Sequence, residues 1–309
     1  MALRLLERGV RVLGLDNLND YYSVPLKNDR VGILRNSALF EQATIDIADS
    51  KSLERAFGTF RPRLVVHLAA QAGIRYSLQN PAIYVQSNLV GFANVLEACR
   101  RFEVEHLVYA SSSSVYGNNT KVPFSESDRT DHPISLYAAT KKSNELMAYT
   151  YSHLFGMRLT GLRFFTVYGP WYRPDMAIYK FTKALYAGEP IALFNYGDVK
   201  RDFTYIDDVV EAVLQLLTSP AANETETAPI YNVGNRSPVK VTDLVCLLEE
   251  ITGRTAILEF LPMQPGDLLE TYASTESLTA ATGFSPSTSL REGLSRFVDW
   301  YREYHGIQG

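Results

Sequence analysis

The sequence predicts an α/β protein built on a doubly wound parallel sheet, followed by a smaller α/β domain. Three observations carry that reading. Strand-length apolar runs alternate with helical patterns through the first half, and the runs are hydrophobic enough to be covered on both faces. Near residue 166 the texture changes to loops rich in Gly, Pro and Tyr mixed with shorter helices. The 309 residues, 46% hydrophobic and 21% charged, suffice for one large core or two smaller ones.

Taken in order, MALRLLERG predicts a short amphipathic helix through Leu3, Leu5 and Leu6 that Gly9 ends, and VRVLGLD reads as a buried strand stopping at Asp16. LVVHLAA (64–70), HLVYASS (106–112) and RLTGLRFF (158–165) read as further parallel strands. Helices are predicted between them over 82–102 and 136–156, the second closed by Gly156. Residues 1–165 form the first domain and 166–309 the second, with 201–220, containing the helix YIDDVVEAVLQLLTSP, returning to the first. AANETETAP (221–229) reads as a polar surface loop. Thr242 is expected to cap a helix that Gly253 stops, and Ser289 with Glu292 fits a capping box.

Composition removes several function classes. A net charge of -4 and a pI near 5.8 leave no basic footprint for nucleic acid or an anionic membrane, so an anionic ligand must be met by a few local arginines. No apolar run approaches the roughly 20 residues a membrane helix needs, and no signal-peptide pattern opens the chain, which predicts a cytoplasmic protein. Cys99 and Cys246 both fall in apolar helical patterns and are expected as reduced, buried thiols. His67, His106, His132, His153 and His305 have no metal-ligand spacing, so no metal is expected. The partner is expected to be a small molecule.

The pattern Tyr-x-x-x-Lys occurs three times, at 137–141, 179–183 and 196–200. Chance gives roughly half of one such match in a chain of this composition, so context must choose among them. Tyr137 and Lys141 stand one turn apart on a predicted helix, 25 residues after Ser112 at a strand end. Chain order thus sets a hydroxyl at the carboxyl edge of a parallel sheet, where such folds bind ligands, and brings a Tyr/Lys helix back past it. The bland alternative is a surface i, i+4 pair.

With VYASSSSVYG and YAATK, the chain resembles the extended short-chain dehydrogenase/reductases, a Rossmann-like family. The resemblance implies that Tyr137 is the acid/base, that Lys141 lowers its pKa and holds the nicotinamide ribose, and that Ser112 steadies the reacting oxygen. A phenol near pKa 10 is a poor base at neutral pH without such help. Asp16, with Asn17 beside it, ends a strand where a carboxylate accepts both hydroxyls of an adenosine ribose and repels a 2'-phosphate, which favours NAD over NADP. The alternative for Asp16-Asn17 is a turn. Asp46 and Ile47 resemble the family's adenine contacts, and Leu68, Ala69 and Ala70 its cofactor path; ordinary strand-end packing accounts equally well for Ile47 and the alanines.

The substrate end rests on longer stretches. RDFTYIDD (201–208) resembles the segment whose Arg meets the diphosphate of a nucleotide-sugar, giving Arg201, and QPGDLLETYAS (264–274) the segment closing over the nucleotide, giving Asp267. RFFTVYGPWYRPDMAIYKFTKALYAGEPIALFNYGDVKRDFTYIDD resembles the UDP-glucuronate 4-epimerase branch, with Thr166 and Arg173 near the sugar carboxylate. Tyr172 departs from the Gly expected there, which leaves the placement of Arg173 open. Ser113 and Ser114 stand where sugar-nucleotide dehydratases resemble this chain but carry Asp-Glu, and are further candidates to orient the carboxylate.

The resemblance implies an NAD-dependent 4-epimerase of a UDP-sugar, UDP-glucuronate to UDP-galacturonate first, working as a homodimer through the helices at 82–102 and 136–156. Another UDP-hexose 4-epimerase, a UDP-glucuronate decarboxylase and a non-catalytic UDP-sugar or partner-binding short form are the alternatives. Against that family the chain lacks a first strand and the GxxGxxG turn, roughly 15 to 20 residues. A start codon set too late, or a true short form, explains the difference.

Overall fold

The computed structural model describes residues 1–219, 227–263 and 268–308. Its first half runs α1 (Ala2–Glu7), β1 (Val12–Asp16), α2 (Val24–Leu34), β2 (Phe40–Thr44), α3 (Ser50–Phe60) and β3 (Leu64–His67). There follow α4 (Tyr76–Gln79), α5 (Pro81–Tyr84), a π-helical stretch Val85–Val90, α6 (Gly91–Arg101), β4 (His106–Ser112), a 3-10 turn Ser113–Tyr116, α7 (Leu136–Phe155) and β5 (Leu159–Phe164). The second half contains β6 (Thr166–Tyr168), α8 (Ala177–Ala187), β7 (Pro190–Phe194), β8 (Lys200–Tyr205), α9 (Ile206–Thr218), β9 (Ile230–Val233) and β10 (Pro238–Lys240). It closes with α10 (Val241–Thr252), β11 (Ile257–Leu261), β12 (Glu270–Thr271), α11 (Glu276–Thr282) and α12 (Leu290–His305).

Two parallel sheets carry the first half. β1 and β2 form a pair, from Val12 opposite Phe40 to Asp16 opposite Thr44, and β3, β4, β5 and β9 form a four-stranded sheet in that order. Residues along β4 alternate between two covered faces, as a doubly wound sheet requires. Tyr109 joins Phe57, Phe92, Leu96 and Leu159 in one core cluster, and Val108 joins Leu162, Val209, Val213 and Val233 in the other. A third cluster gathers Tyr179, Phe203, Leu244, Phe297 and Tyr301 in the second half, around β8, which pairs with β6, β10 and β12.

Helix ends follow their sequence signals. Ser135 caps α7 by accepting the Ala138 N–H at 3.1 Å, and Gly156 closes it in the left-handed region at φ +64°. Ser289 accepts the Glu292 N–H at 3.2 Å, but Glu292 turns to Arg296 and the reciprocal half of the capping box is not made.

Several expectations are corrected. β1, read as buried, is half-exposed along most of its length, because among the described residues β2 is its one hydrogen-bonded neighbour. It was expected as the fold's second strand; it is the first strand described. β3 ends at His67, and 68–70 leave the strand. The helix expected over 82–102 is interrupted by the π-helical stretch. Lys240, not Thr242, is the N-cap residue of α10. Cys99 is buried, but Cys246 is exposed, since the buried stripe of α10 runs through Val241, Leu244, Val245 and Leu248 and misses position 246. The loop expected over 221–229 lies mostly outside the described residues. Among the described residues no helix is long and apolar enough to cross a membrane, and no three His, Cys, Asp or Glu side chains gather as a metal site.

Candidate active site

The carboxyl ends of β1, β3, β4 and β5 open into a cavity of about 1520 Å³. Pockets for one small ligand usually run to roughly 1,000 Å³, so this one has room for two. It is lined by Asp16, Asn17, Asp46, Ile47, Leu68, Ala69, Ala70, Ser112, Ser113, Ser114, Tyr137, Lys141, Thr166, Arg173 and Arg201. Asp267 lies outside the described residues.

Ser112 ends β4, and its hydroxyl accepts the Ser114 N–H at 3.2 Å. Tyr137, in the first turn of α7, hydrogen-bonds to the Ser112 side chain. Burial pushes the Tyr137 phenol above its ordinary pKa, while the Ser112 bond and the nearby Arg173 charge pull it back down. Lys141 follows one turn later, is 2% exposed, and donates from Nζ to the Ala110 carbonyl at 2.7 Å. Burial lowers its pKa to about 8.

The Tyr137 helix is tied down at two places that sequence reasoning missed. Thr140 donates to the Tyr137 carbonyl at 2.8 Å and receives a bond from Asn88 at 3.0 Å. Asn88 also holds both backbone groups of Gln71, at 2.8 and 3.0 Å, from the π-helical stretch, a local widening that is frequent at functional sites. Tyr84 sets its ring edge-on to Tyr137 with centroids 6.2 Å apart. Farther along α7, Glu145 takes Arg163 of β5 at 2.8 and 2.9 Å and the Ser111 hydroxyl at 2.7 Å, joining the helix to the two strands beside Ser112.

At the β1 end, Asp16 accepts the Leu18 N–H at 2.7 Å and Asn17 donates to Asp46 at 3.1 Å, so Asp16-Asn17 does form a turn while still lining the cavity. Ile47 is 8% exposed and packs so closely on α6 that a Cβ at Gly91 would stand 2.6 Å from it. These residues fit the ribose and adenine of a dinucleotide. Gln71, 3% exposed and held through its backbone by Asn88, also lines the cavity.

At the other end, Arg173 pairs with Asp175, Nε to Oδ1 at 3.2 Å and Nη2 to Oδ2 at 3.2 Å, and Nη2 also meets Met176 Sδ at 3.2 Å. Tyr21, from the loop after β1, donates to the same Asp175 Oδ2 at 3.2 Å. Tyr172 packs edge-on against Phe297, and the residue in the left-handed region is its neighbour Trp171 at φ +63°. Arg173 therefore still lines the cavity despite the Tyr at 172. Arg201 donates to the Lys200 carbonyl at 2.8 Å. Tyr179 and Lys183 lie on α8, Tyr196 precedes β8 and Lys200 opens it, and none of the four lines the cavity that holds Ser112.

Residues 1–234, three quarters of the chain and all the strands of the two parallel sheets, match the NAD dependent epimerase/dehydratase family. The chain belongs to that family. Among relatives, it is 49% identical to protein CapI of Staphylococcus aureus, covering 99% of this chain and 95% of CapI. It is 48% identical to UDP-glucuronate 4-epimerase 2 of Arabidopsis thaliana, covering 99% of this chain and 73% of that one. Among solved structures, the UDP-glucuronic acid 4-epimerase of Bacillus cereus, in complex with UDP-glucuronic acid and NAD, superposes with a TM-score of 0.90 at 30% identity over 98% of this chain and 95% of that chain. The family is NAD-dependent, and the cavity lined by Asp16, Asp46, Ile47 and Gln71 has room for that cofactor.

Proposed function

We propose that this member of the epimerase family interconverts UDP-glucuronate and UDP-galacturonate at carbon 4. The observation that carries the reading is one cavity holding Ser112, Tyr137 and Lys141 together with Arg173, whose charge reaches the Tyr137 phenol. Its relatives at about half identity with assigned activity are UDP-glucuronate 4-epimerases.

The chemistry that NAD would supply is reversible hydride transfer at carbon 4, with removal from one face and return to the other, so that no net oxidation would occur, and Asp16, Asp46 and Lys141 would hold it. Tyr137 takes the proton of the 4-hydroxyl and later gives it back. Ser112 holds the reacting oxygen, and Lys141, protonated below its pKa of about 8, supplies positive charge beneath the site. Between the two transfers the sugar must turn over, so binding energy belongs at the UDP end, where Arg201 suits a fork of phosphate oxygens. The 4-keto uronate is a β-keto acid, which loses carbon dioxide when the breaking bond lines up with the carbonyl π system. Ser113, Ser114, Thr166 and Arg173 are assigned to hold the carboxylate out of that alignment.

We assign residues 1–165, with 201–220 and β9, to the cofactor-binding domain and the rest of 166–309 to the substrate domain. We further assign a cytoplasmic homodimer through α7, which exposes Leu146, Tyr149, Leu154 and Phe155; sedimentation as a monomer at micromolar concentration refutes it.

The function is tested by incubating UDP-glucuronate with the protein and NAD and identifying the product by NMR. UDP-galacturonate is expected. UDP-xylose, or an accumulating 4-keto sugar, overturns the assignment.

A further inference from the structure

The reading above gives Arg173 the sugar carboxylate, yet the guanidinium already has a carboxylate. Asp175 lies against its Nε and Nη2, both at 3.2 Å, and each side chain is about a quarter exposed, at 29% for Arg173 and 26% for Asp175. Both line the cavity that holds Tyr137. A uronate arriving at Arg173 therefore meets a fixed negative charge at ion-pair distance, and the two carboxylates compete for one cation. The pairing with Asp175 is itself imperfect: Oδ1 is buried and makes no hydrogen bond, while Oδ2 is shared with the Tyr21 hydroxyl. Burial and the Asp175 charge push the Tyr21 phenol up to about 12, so it remains a neutral donor to Asp175 at working pH.

We propose that Asp175 is a specificity-determining residue that competes with the substrate carboxylate for Arg173 and thereby keeps the uronate exchangeable. This rests on the 4-epimerase reading, and it answers a need of that reaction. A ring that must turn between two hydride transfers cannot stay locked to an unopposed guanidinium, and a neighbouring carboxylate that retakes the cation as the sugar leaves it lowers the cost of release. Tyr21 holds Asp175 while Arg173 is engaged elsewhere, which links the loop after β1 to the carboxylate subsite.

The test is calorimetric binding of UDP-glucuronate and UDP-glucose to the full chain and to Asp175→Asn, Tyr21→Phe and the double variant Arg173→Gln/Asp175→Asn. Removing one opposing charge at this distance is expected to tighten UDP-glucuronate by about tenfold and leave UDP-glucose within about twofold. Tyr21→Phe frees Asp175 to compete harder and weakens UDP-glucuronate about two- to threefold. The double variant loses the gain. Saturated turnover of UDP-glucuronate by Asp175→Asn should be slower than that of the parent, because release of the ring limits it.

Unchanged or weaker UDP-glucuronate binding by Asp175→Asn overturns the proposal, as does an equal shift for both ligands. Product identity is read separately. A product other than UDP-galacturonate ends the epimerase reading, while the binding comparison still decides whether Asp175 competes for Arg173.

Discussion

Replacing Glu145 by Gln removes the charge that Arg163 faces while keeping the side chain's shape. Glu145 and Arg163 are 2% and 3% exposed and meet in a two-pronged contact at 2.8 and 2.9 Å, with Ser111 donating to the same carboxylate at 2.7 Å. Breaking one side of such a buried pair costs about 3–5 kcal/mol, because the remaining charge stays out of water. Arg163 keeps the Tyr116 hydroxyl at 3.1 Å and the Glu126 carbonyl at 3.3 Å, which favours the lower end. With a urea slope of about 3 kcal/mol per molar, the unfolding midpoint followed by circular dichroism should fall by about 1 M. A double replacement, Glu145→Met with Arg163→Met, should recover most of that loss, since two apolar groups leave no charge unpaired. Burial alone would raise the Glu145 carboxyl; the Arg163 and Ser111 bonds outweigh it and hold it below its ordinary pKa. Its contribution is therefore fully present above the ordinary glutamate value and is lost as pH falls from there through the lower folded value, so the gap between parent and variant should narrow steadily as the medium is acidified. A midpoint shift under about 0.3 M at neutral pH, or a gap that does not narrow on acidification below about pH 4, refutes the reasoning.

Two further outcomes follow from the site. Tyr137→Phe should lower kcat by about 10²- to 10⁴-fold with UDP-glucuronate affinity nearly unchanged; a loss below tenfold removes the phenol from proton transfer. Lys141 loses its proton near pH 8 when folded but near 10.4 when unfolded, so the unfolded chain binds more protons between those values and its contribution to stability rises with pH there. At pH 7 the burial penalty is present almost in full, about 3 kcal/mol, and Lys141→Met should be the more stable protein, with the parent closing the gap between about pH 8 and 10.4. Greater stability of the parent at pH 7 in urea titrations refutes it.

The strands that meet the site were legible because buried parallel strands are almost purely apolar: HLVYASS marks β4 from His106 to Ser112 without error. Tyr137 could be chosen among three Tyr-x-x-x-Lys pairs because chain order alone returns it to Ser112. What escaped is tertiary. Gln71, Tyr84 and Asn88 carry no spacing that separates them from packing residues, and the π-helical stretch that turns Asn88 inward has no composition signal. Asp175 sits two residues after Arg173 in RPDMA, but only coordinates show that it takes the guanidinium itself. Cys246 was misjudged because an apolar neighbourhood in sequence does not say which side of α10 a residue occupies.

The division of the parallel strands into a pair and a foursome has an energetic meaning. Asp16 hangs from the pair and Ser112 from the foursome, and among the described residues no ladder joins them. Any ligand touching both is a staple between two independently bonded slabs, and at a hundred times its dissociation constant it adds about 2.7 kcal/mol against their separation. Amide exchange along Val12–Asp16 should then act as a gauge of occupancy, slow when the cavity is filled and fast when it is empty.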